Sequence, residues 1–354
     1  MILNVLKVFG LSTLSFFVGM ALTPLLTHYL YKYKLWRREV RQFAPDGAPT
    51  PIFSELHKDR DTNIPRMGGI LVWTIPLLMI VIFQFLVYVF PERFIFHKLN
   101  FLSRAQTWLP LFTLISASLV GLADDFFLTF GKGRYIAGGV RFSRRLAMII
   151  LIAAAGAWWF YSPTKLGISS VMVPFYGEVD LGILFPLFFV LVMVATFSGG
   201  VIDGLDGLSG GVLAASFSAY AGIAFFQNQI DLATFAAVIV GALLAFLWHN
   251  IPPAKFYMGE SGIMGMTTTL TVLAFLTDSV LVLPLIALPL VLASASSSIQ
   301  LLSKKFLGHK VFKVAPLHHH LEAIGWPSYQ VTMRFWVISV VFAVVGMVVA
   351  LIGR

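Results

Sequence analysis

The chain has 354 residues, of which 12% are charged and 58% hydrophobic, and its mean hydropathy is +0.87. Charged residues are about half as frequent as the roughly 25% of soluble domains, and a water-soluble fold of this size has too little interior to hide so much apolar surface. A soluble enzyme, a disordered chain and a fibrous repeat are therefore excluded, and the solvent is a bilayer; with no cysteine present, disulfides, thiolate nucleophiles and cysteine-based metal sites are excluded too.

Crossing about 30 Å of hydrocarbon takes roughly 20 residues of helix. Ten apolar runs answer to that need: 5–31, 68–90, 107–127, 146–161, 181–199, 208–226, 231–249, 261–276, 279–302 and 334–352. The fourth and eighth are short. The first lacks a small-x-small cleavage site and reads as a retained helix rather than a signal peptide. No internal repeat or low-complexity tract interrupts the series. Residues 1–354 are thus expected to form one all-α, polytopic integral membrane domain.

Ten helices put both termini on one side. Lys and Arg number 19 in the loops after odd-numbered helices, counting Arg334, and 6 on the other side, out of 25 in a chain of net charge +9. The positive-inside rule then sets the odd-helix loops in the cytoplasm and both termini outside.

Four polar clusters stand out against this apolar background. Asp124 and Asp125 end the third run; adjacent helical residues point about 100° apart, so the pair cannot share one partner symmetrically. One can hold a cation while the other faces a substrate, or both can be a solvated helix end. Asp203-Gly204-Leu205-Asp206-Gly207 lies between runs five and six. Its glycines permit close backbone approach to a ligand, which suits a nucleotide or phosphate–metal site but also an ordinary turn. In the third cluster, Asn250 to Gly262, Glu260 and Gly259 sit where the eighth helix begins. Free N–H groups and the helix dipole favour an anion there, and capping alone also explains Glu260. Tyr257 offers a stacking face for a base, or a member of an interfacial aromatic belt. The fourth cluster is Pro316-Leu317-His318-His319-His320-Leu321-Glu322. Adjacent imidazoles converge poorly on one metal ion. Gripping pyrophosphate or relaying protons near neutral pH suits them better.

All four clusters fall on the cation-rich side, as an anionic substrate would require. Together they describe a cytoplasm-facing site at the membrane surface, suited to joining a soluble phosphorylated donor to a lipid acceptor.

At these residues the chain resembles the phospho-N-acetylmuramoyl-pentapeptide transferase family, within the polyprenyl-phosphate N-acetylhexosamine-1-phosphate transferase superfamily. The likeness runs through essentially the whole chain. Its most specific part is Ala315-Pro316-Leu317-His318-His319-His320 with Glu322, Gly325, Trp326 and Pro327, followed by Arg334-Phe335-Trp336. Pro65 with Met67-Gly68-Gly69, Gly121 with Asp124-Asp125, Asp203 to Leu208, and Phe256-Tyr257-Met258-Gly259 support it.

The resemblance implies a bacterial cytoplasmic-membrane enzyme that takes UDP-MurNAc-pentapeptide and undecaprenyl phosphate to lipid I and UMP with Mg²⁺. It implies no nucleic-acid partner, and a homodimer is the assembly to test. Glu260 falls at the position of a magnesium-ligating Asp. Asp124 and Asp125 match aspartates assigned to the lipid-phosphate acceptor or the metal. Gly204, Leu205, Asp206, Asn250 and Tyr257 match the uridine pocket, while Asp203, His318, His319 and His320 match contacts to the donor beyond it. Transfer at a pyrophosphate chiefly needs charge neutralisation and in-line positioning, which agrees with this residue set.

The family pattern is not kept everywhere. Glu260 is one methylene longer than the usual Asp, and the Asn expected three residues before Asp203 is Gly200. In the pattern Lys-x-Gly-Thr-Pro-Thr-Met-Gly-Gly, the Lys is Asp61 and the second Thr is Arg66. The Lys expected near the start of the fourth helix corresponds to Arg145 after a short insertion. Two alternatives stand beside this reading. A GlcNAc-1-phosphate transferase would not need His318–His320, and a transporter or flippase would place charges near helix midpoints and often show repeats.

Overall fold

The computed structural model describes residues 1–36, 63–103, 106–131 and 139–354. Asp61, singled out above, lies outside the described residues. Among those described, the fold is helical, with one two-stranded hairpin.

Eight helical segments are long and apolar enough to cross a membrane. They are α1 (Ile2–Lys32), α2 (Ile70–Val89), α3 (Trp108–Thr129), α4 (Phe142–Tyr161), α5 within Gly182–Ile202, α6 (Leu208–Phe226), α7 (Ile230–Asn250) and, last in the chain, α11 (Ser328–Ile352). Between α7 and α11 come α8 (Gly259–Leu276), α9 (Leu288–Phe306) and the short α10 (Leu317–Ala323). A helical piece, Val280–Ile286, meets α9 at 83°, and together the two pass as a ninth, broken span. The hairpin, β1 (Ser170–Val173) and β2 (Gly177–Asp180), pairs Val171 with Val179 in antiparallel register between α4 and α5.

The eighth expected run forms α8, which is too polar to qualify as a crossing helix by hydropathy alone yet runs from Gly259 and Glu260 at one end of the bundle to Leu276 at the other. Every residue from Ser261 to Phe275 is buried, so protein surrounds it and lipid does not. Its threonines are accommodated by bonding back along the helix: Thr267 Oγ1 donates to Ile263 O at 2.8 Å and Thr268 Oγ1 to Met264 O at 2.8 Å. α8 is the hub, packed chiefly on α3, while α7 lies between α1 and α6. Gly121 permits the α3–α8 approach, because a Cβ there would collide with the Glu260 carbonyl.

The two ends of the bundle differ in content. At one end Lys7 Nζ reaches Asp231 Oδ1 at 2.5 Å and Asn100 O at 2.8 Å. There too Gln229 bonds Leu276 O, Met172 N–H donates to Asp278, and Phe175 N–H donates to Gly353 O. Both termini and the hairpin share this end. The four polar clusters gather at the other.

Candidate active site

Asp124 and Asp125 point to different partners, as their angular separation requires. Asp124 is 3% exposed; its Oδ1 accepts from Val140 N–H at 2.5 Å and its Oδ2 from Arg145 Nη1 at 3.1 Å. Asp125 is fully buried and accepts the N–H groups of Glu260 at 3.2 Å and Ser261 at 2.9 Å. The anion anticipated at the start of α8 is therefore Asp125 itself, held by the orphan amides and dipole of that helix. It faces a helix terminus rather than an opening.

That anchor fixes the direction of Glu260, whose side chain is 31% exposed against 4% for Asp124. Glu260 Oε1 lies 2.6 Å from Arg145 Nη1, so one guanidinium nitrogen joins α3, α4 and α8. Arg145, which corresponds in sequence to the family lysine, thus falls within the carboxylate cluster.

Asp203 closes the next side. Its Oδ1 accepts from Ser209 Oγ at 2.7 Å and its Oδ2 from Gly259 N–H at 3.0 Å. Desolvation pushes its carboxyl above the usual carboxylate range, opposed by these hydrogen bonds and by the charge of Arg66. Asp206 is buried and accepts the Ala254 N–H at 3.2 Å. Both aspartates of the Asp-Gly-Leu-Asp-Gly turn thus brace the 254–259 loop.

Asn250 has the same bracing role. Its Oδ1 accepts from Gly207 N–H at 2.9 Å and its Nδ2 donates to Phe256 O at 2.7 Å, a satisfied buried amide. Tyr257 is half-buried, and its backbone is laced to the Pro65–Gly69 segment: Tyr257 N–H donates to Pro65 O at 2.7 Å and Gly68 N–H to Tyr257 O at 2.9 Å. The same lacing carries Arg66 into the cluster.

The histidines split. Gly204 lies against the first two, since a Cβ there would sit 2.6 Å from Nε2 of both His318 and His319. Those two rings are 4.3 Å apart, and His319 Nδ1 lies 2.8 Å from Glu322 Oε2. His320 turns elsewhere: its Nδ1 accepts from Lys313 N–H at 3.2 Å and its ring meets Phe312 edge-on. The α9 side chains set this helix in place, with Ser296 Oγ accepting from Leu317 N–H at 2.9 Å and Gln300 bonding the backbone of Val311 and Phe312.

Asp124, Asp125, Arg145, Asp203, Gly204, Glu260, His318 and His319 are thus linked through direct contacts. Leu205, Asp206 and Asn250 form the wall behind them, and His320 lies at the margin. Sequence reasoning passed over Ser209 and treated Arg66 only as an anomaly. The available signal for Arg66 was a cation standing where the family pattern has a hydroxyl.

Among the described residues, no group of three or more His, Asp or Glu is arranged to hold a metal by itself. Mg²⁺ does not need one, because it keeps several waters and draws on one or two carboxylates plus substrate phosphates. Glu260, a hard-oxygen ligand and the most open carboxylate of the cluster, fits that mode.

The glycosyl transferase family 4 profile matches residues 107–278, which span α3 to α8. Similarity to individual proteins runs further. A phospho-N-acetylmuramoyl-pentapeptide-transferase of Chloroflexus aggregans is 32% identical over 338 residues, covering 92% of this chain and 84% of that relative. One from Anoxybacillus flavithermus is 31% identical and covers 94% of both chains. One from Latilactobacillus sakei is 35% identical over 245 residues, 68% of this chain. With a linked acidic and basic cluster at one end of a helical bundle, and this similarity along nearly its whole length, the chain belongs to the phospho-N-acetylmuramoyl-pentapeptide-transferase family.

Proposed function

We propose that this protein transfers phospho-MurNAc-pentapeptide from UDP-MurNAc-pentapeptide to undecaprenyl phosphate, releasing UMP and forming lipid I at the cytoplasmic face of a bacterial membrane. The observation that carries this reading is the meeting of four sequence-distant clusters, Asp125 and Asp203 at the start of α8 with Glu260, and His318 and His319 at Gly204, in a chain whose relatives bear that name.

In this reading an oxygen of the lipid phosphate attacks the sugar-bearing phosphorus of the donor. The new P–O bond forms as the bond to the bridging oxygen breaks, and that oxygen leaves with UMP. Bound Mg²⁺ would supply charge neutralisation and a template for phosphate oxygens. Glu260, with one oxygen beyond its pairing to Arg145, is the residue to hold it. Asp125 positions Glu260 by fixing the first turn of α8. Asp124 positions Arg145, whose cation, with that of Arg66, offsets the charge of the phosphates. Tyr257 offers its face to the uracil, within a wall built by Gly204, Leu205, Asp206 and Asn250. His318 and His319, next to Asp203, would donate to the part of the donor beyond the uridine, with His320 contributing from the margin.

The test is UMP release from UDP-MurNAc-pentapeptide by detergent-solubilised protein supplied with polyprenyl phosphate. Release that depends on both substrates is expected. Release from UDP-GlcNAc with equal efficiency would move the protein to another donor class, and release from neither donor would overturn the enzyme assignment.

A further inference from the structure

The contacts of Arg145 are poorly arranged for an ion pair whose only purpose is to hold the fold. A single nitrogen, Nη1, serves both Glu260 at 2.6 Å and Asp124 at 3.1 Å, from two different helices. Meanwhile its Nε is buried without a hydrogen-bond partner among the described residues. A guanidinium normally gains most by presenting two parallel N–H groups to one carboxylate, and an unsatisfied buried donor carries a desolvation cost. The two acidic partners also differ in kind: Asp124 is 4% exposed at its side chain, whereas Glu260 is 31% exposed. Asp124, so deeply buried, needs a cation at all times. Glu260 is open to the surface and can exchange one cation for another.

We propose that Arg145 is a resident counter-ion that competes with a divalent cation for Glu260, so that the cation binds weakly until the donor's phosphates arrive to share it. This rests on the reading of Glu260 as the cation-binding carboxylate. When the cation takes Glu260, Arg145 keeps Asp124 and sheds half of its load. Arginine is charged at every physiological pH, so the competition is set by position and not by protonation. Arg145 is in this sense a positioning residue, acting on the cation through Glu260.

The experiment measures Mn²⁺ binding to the purified full-length protein without donor, by the electron paramagnetic resonance signal of free Mn²⁺. Removing a positive charge at contact distance from the ligand should tighten binding, by about tenfold after solvent screening. Arg145→Gln is therefore expected to bind Mn²⁺ about tenfold more tightly than the wild type. Arg145→Lys, which keeps the charge, should stay close to the wild type. In Glu260→Gln, Mn²⁺ binding should be lost, and the double variant Arg145→Gln/Glu260→Gln should show none of the gain. If Arg145→Gln fails to fold, the pair Arg145→Gln/Asp124→Asn leaves no unpaired buried charge, and it should bind more tightly than Asp124→Asn alone. Unchanged or weaker Mn²⁺ binding on loss of Arg145, with Glu260→Gln still abolishing it, overturns the competition alone. Mn²⁺ binding that survives Glu260→Gln overturns the cation assignment of Glu260 and this proposal with it.

Discussion

At the residue scale, neighbouring aspartates do different jobs, and the difference is measurable. Asp125 accepts two amide N–H groups of α8, so Asp125→Asn turns one acceptor into a donor facing a donor. That should cost about 1–3 kcal/mol of stability, read as a lower unfolding midpoint in detergent. Asp124→Asn should reduce turnover by more than its smaller loss of midpoint explains, and the two changes should combine less than additively. Equal midpoint losses would remove the distinction. Glu260→Gln leaves only an amide oxygen for a hard cation and should lower UMP release about a hundredfold with little change in midpoint. Near-wild-type turnover would reassign the ligand. Asp203 adds a pH dependence. Its folded carboxyl keeps its proton to higher pH than an unfolded one, so its contribution favours the folded chain in acid. That contribution is lost as pH rises through the raised pKa. The midpoint of wild type relative to Asp203→Asn should therefore fall from pH 4 towards neutrality, and a pH-independent gap would count against the burial argument. The residue types of this site were legible from sequence, because acidic and imidazole side chains stand out in an apolar chain. Their partners were not. Nothing local to Asn250 shows that its amide is spent on Gly207 and Phe256.

At the element scale, the helices were legible where hydropathy alone decides them, and misjudged where packing or charge intervenes. Leu208–Phe226 begins and ends at the expected residues. By contrast α4 starts at Phe142 and α11 at Ser328, several residues before the expected 146 and 334, because Arg144, Arg145 and Arg334 interrupt the apolar run without interrupting the helix. The Arg334 guanidinium instead stacks over Trp326, 4.0 Å from the ring centroid, and rides inside the helix. The break before α9 also has a local cause. Pro289, in the first turn of α9, lacks the N–H that would continue the preceding helix, and Ala287 leaves helical geometry between the two pieces, so a run that reads as one span turns through 83°. α8 is the clearest case of tertiary override, since its polarity is tolerated only because α3 and its neighbours enclose it. Gly121→Ala tests that enclosure. A methyl against the Glu260 carbonyl must push α3 from α8, at a cost of about 1–3 kcal/mol. It should also displace Glu260 and abolish UMP release. A variant with normal stability and turnover would show that the contact has slack.

At the scale of the whole molecule, the distribution of charge bears on which end faces which compartment. The polar clusters share one end of the bundle, and the hairpin shares the other with both termini. The even number of apolar runs predicts that the termini share an end, and the sequence count of Lys and Arg, 19 of 25 in the loops after odd-numbered runs, bears on which compartment each end faces. Cations near a span resist translocation, so the expected orientation sets the clustered end inside, where the proposed donor would reach it. Because the chain has no cysteine, single cysteines can report each end without background. Arg141 is exposed at the start of α4 on the clustered end, and Tyr176 is 81% exposed at the hairpin. In intact cells a membrane-impermeant maleimide should label Tyr176→Cys and leave Arg141→Cys untouched. After permeabilisation both should react. The reverse pattern would place the site outside, out of reach of a cytoplasmic donor. Labelling of both in intact cells would mean that the two positions share a compartment, and the single crossing by α4 between them would fall with it.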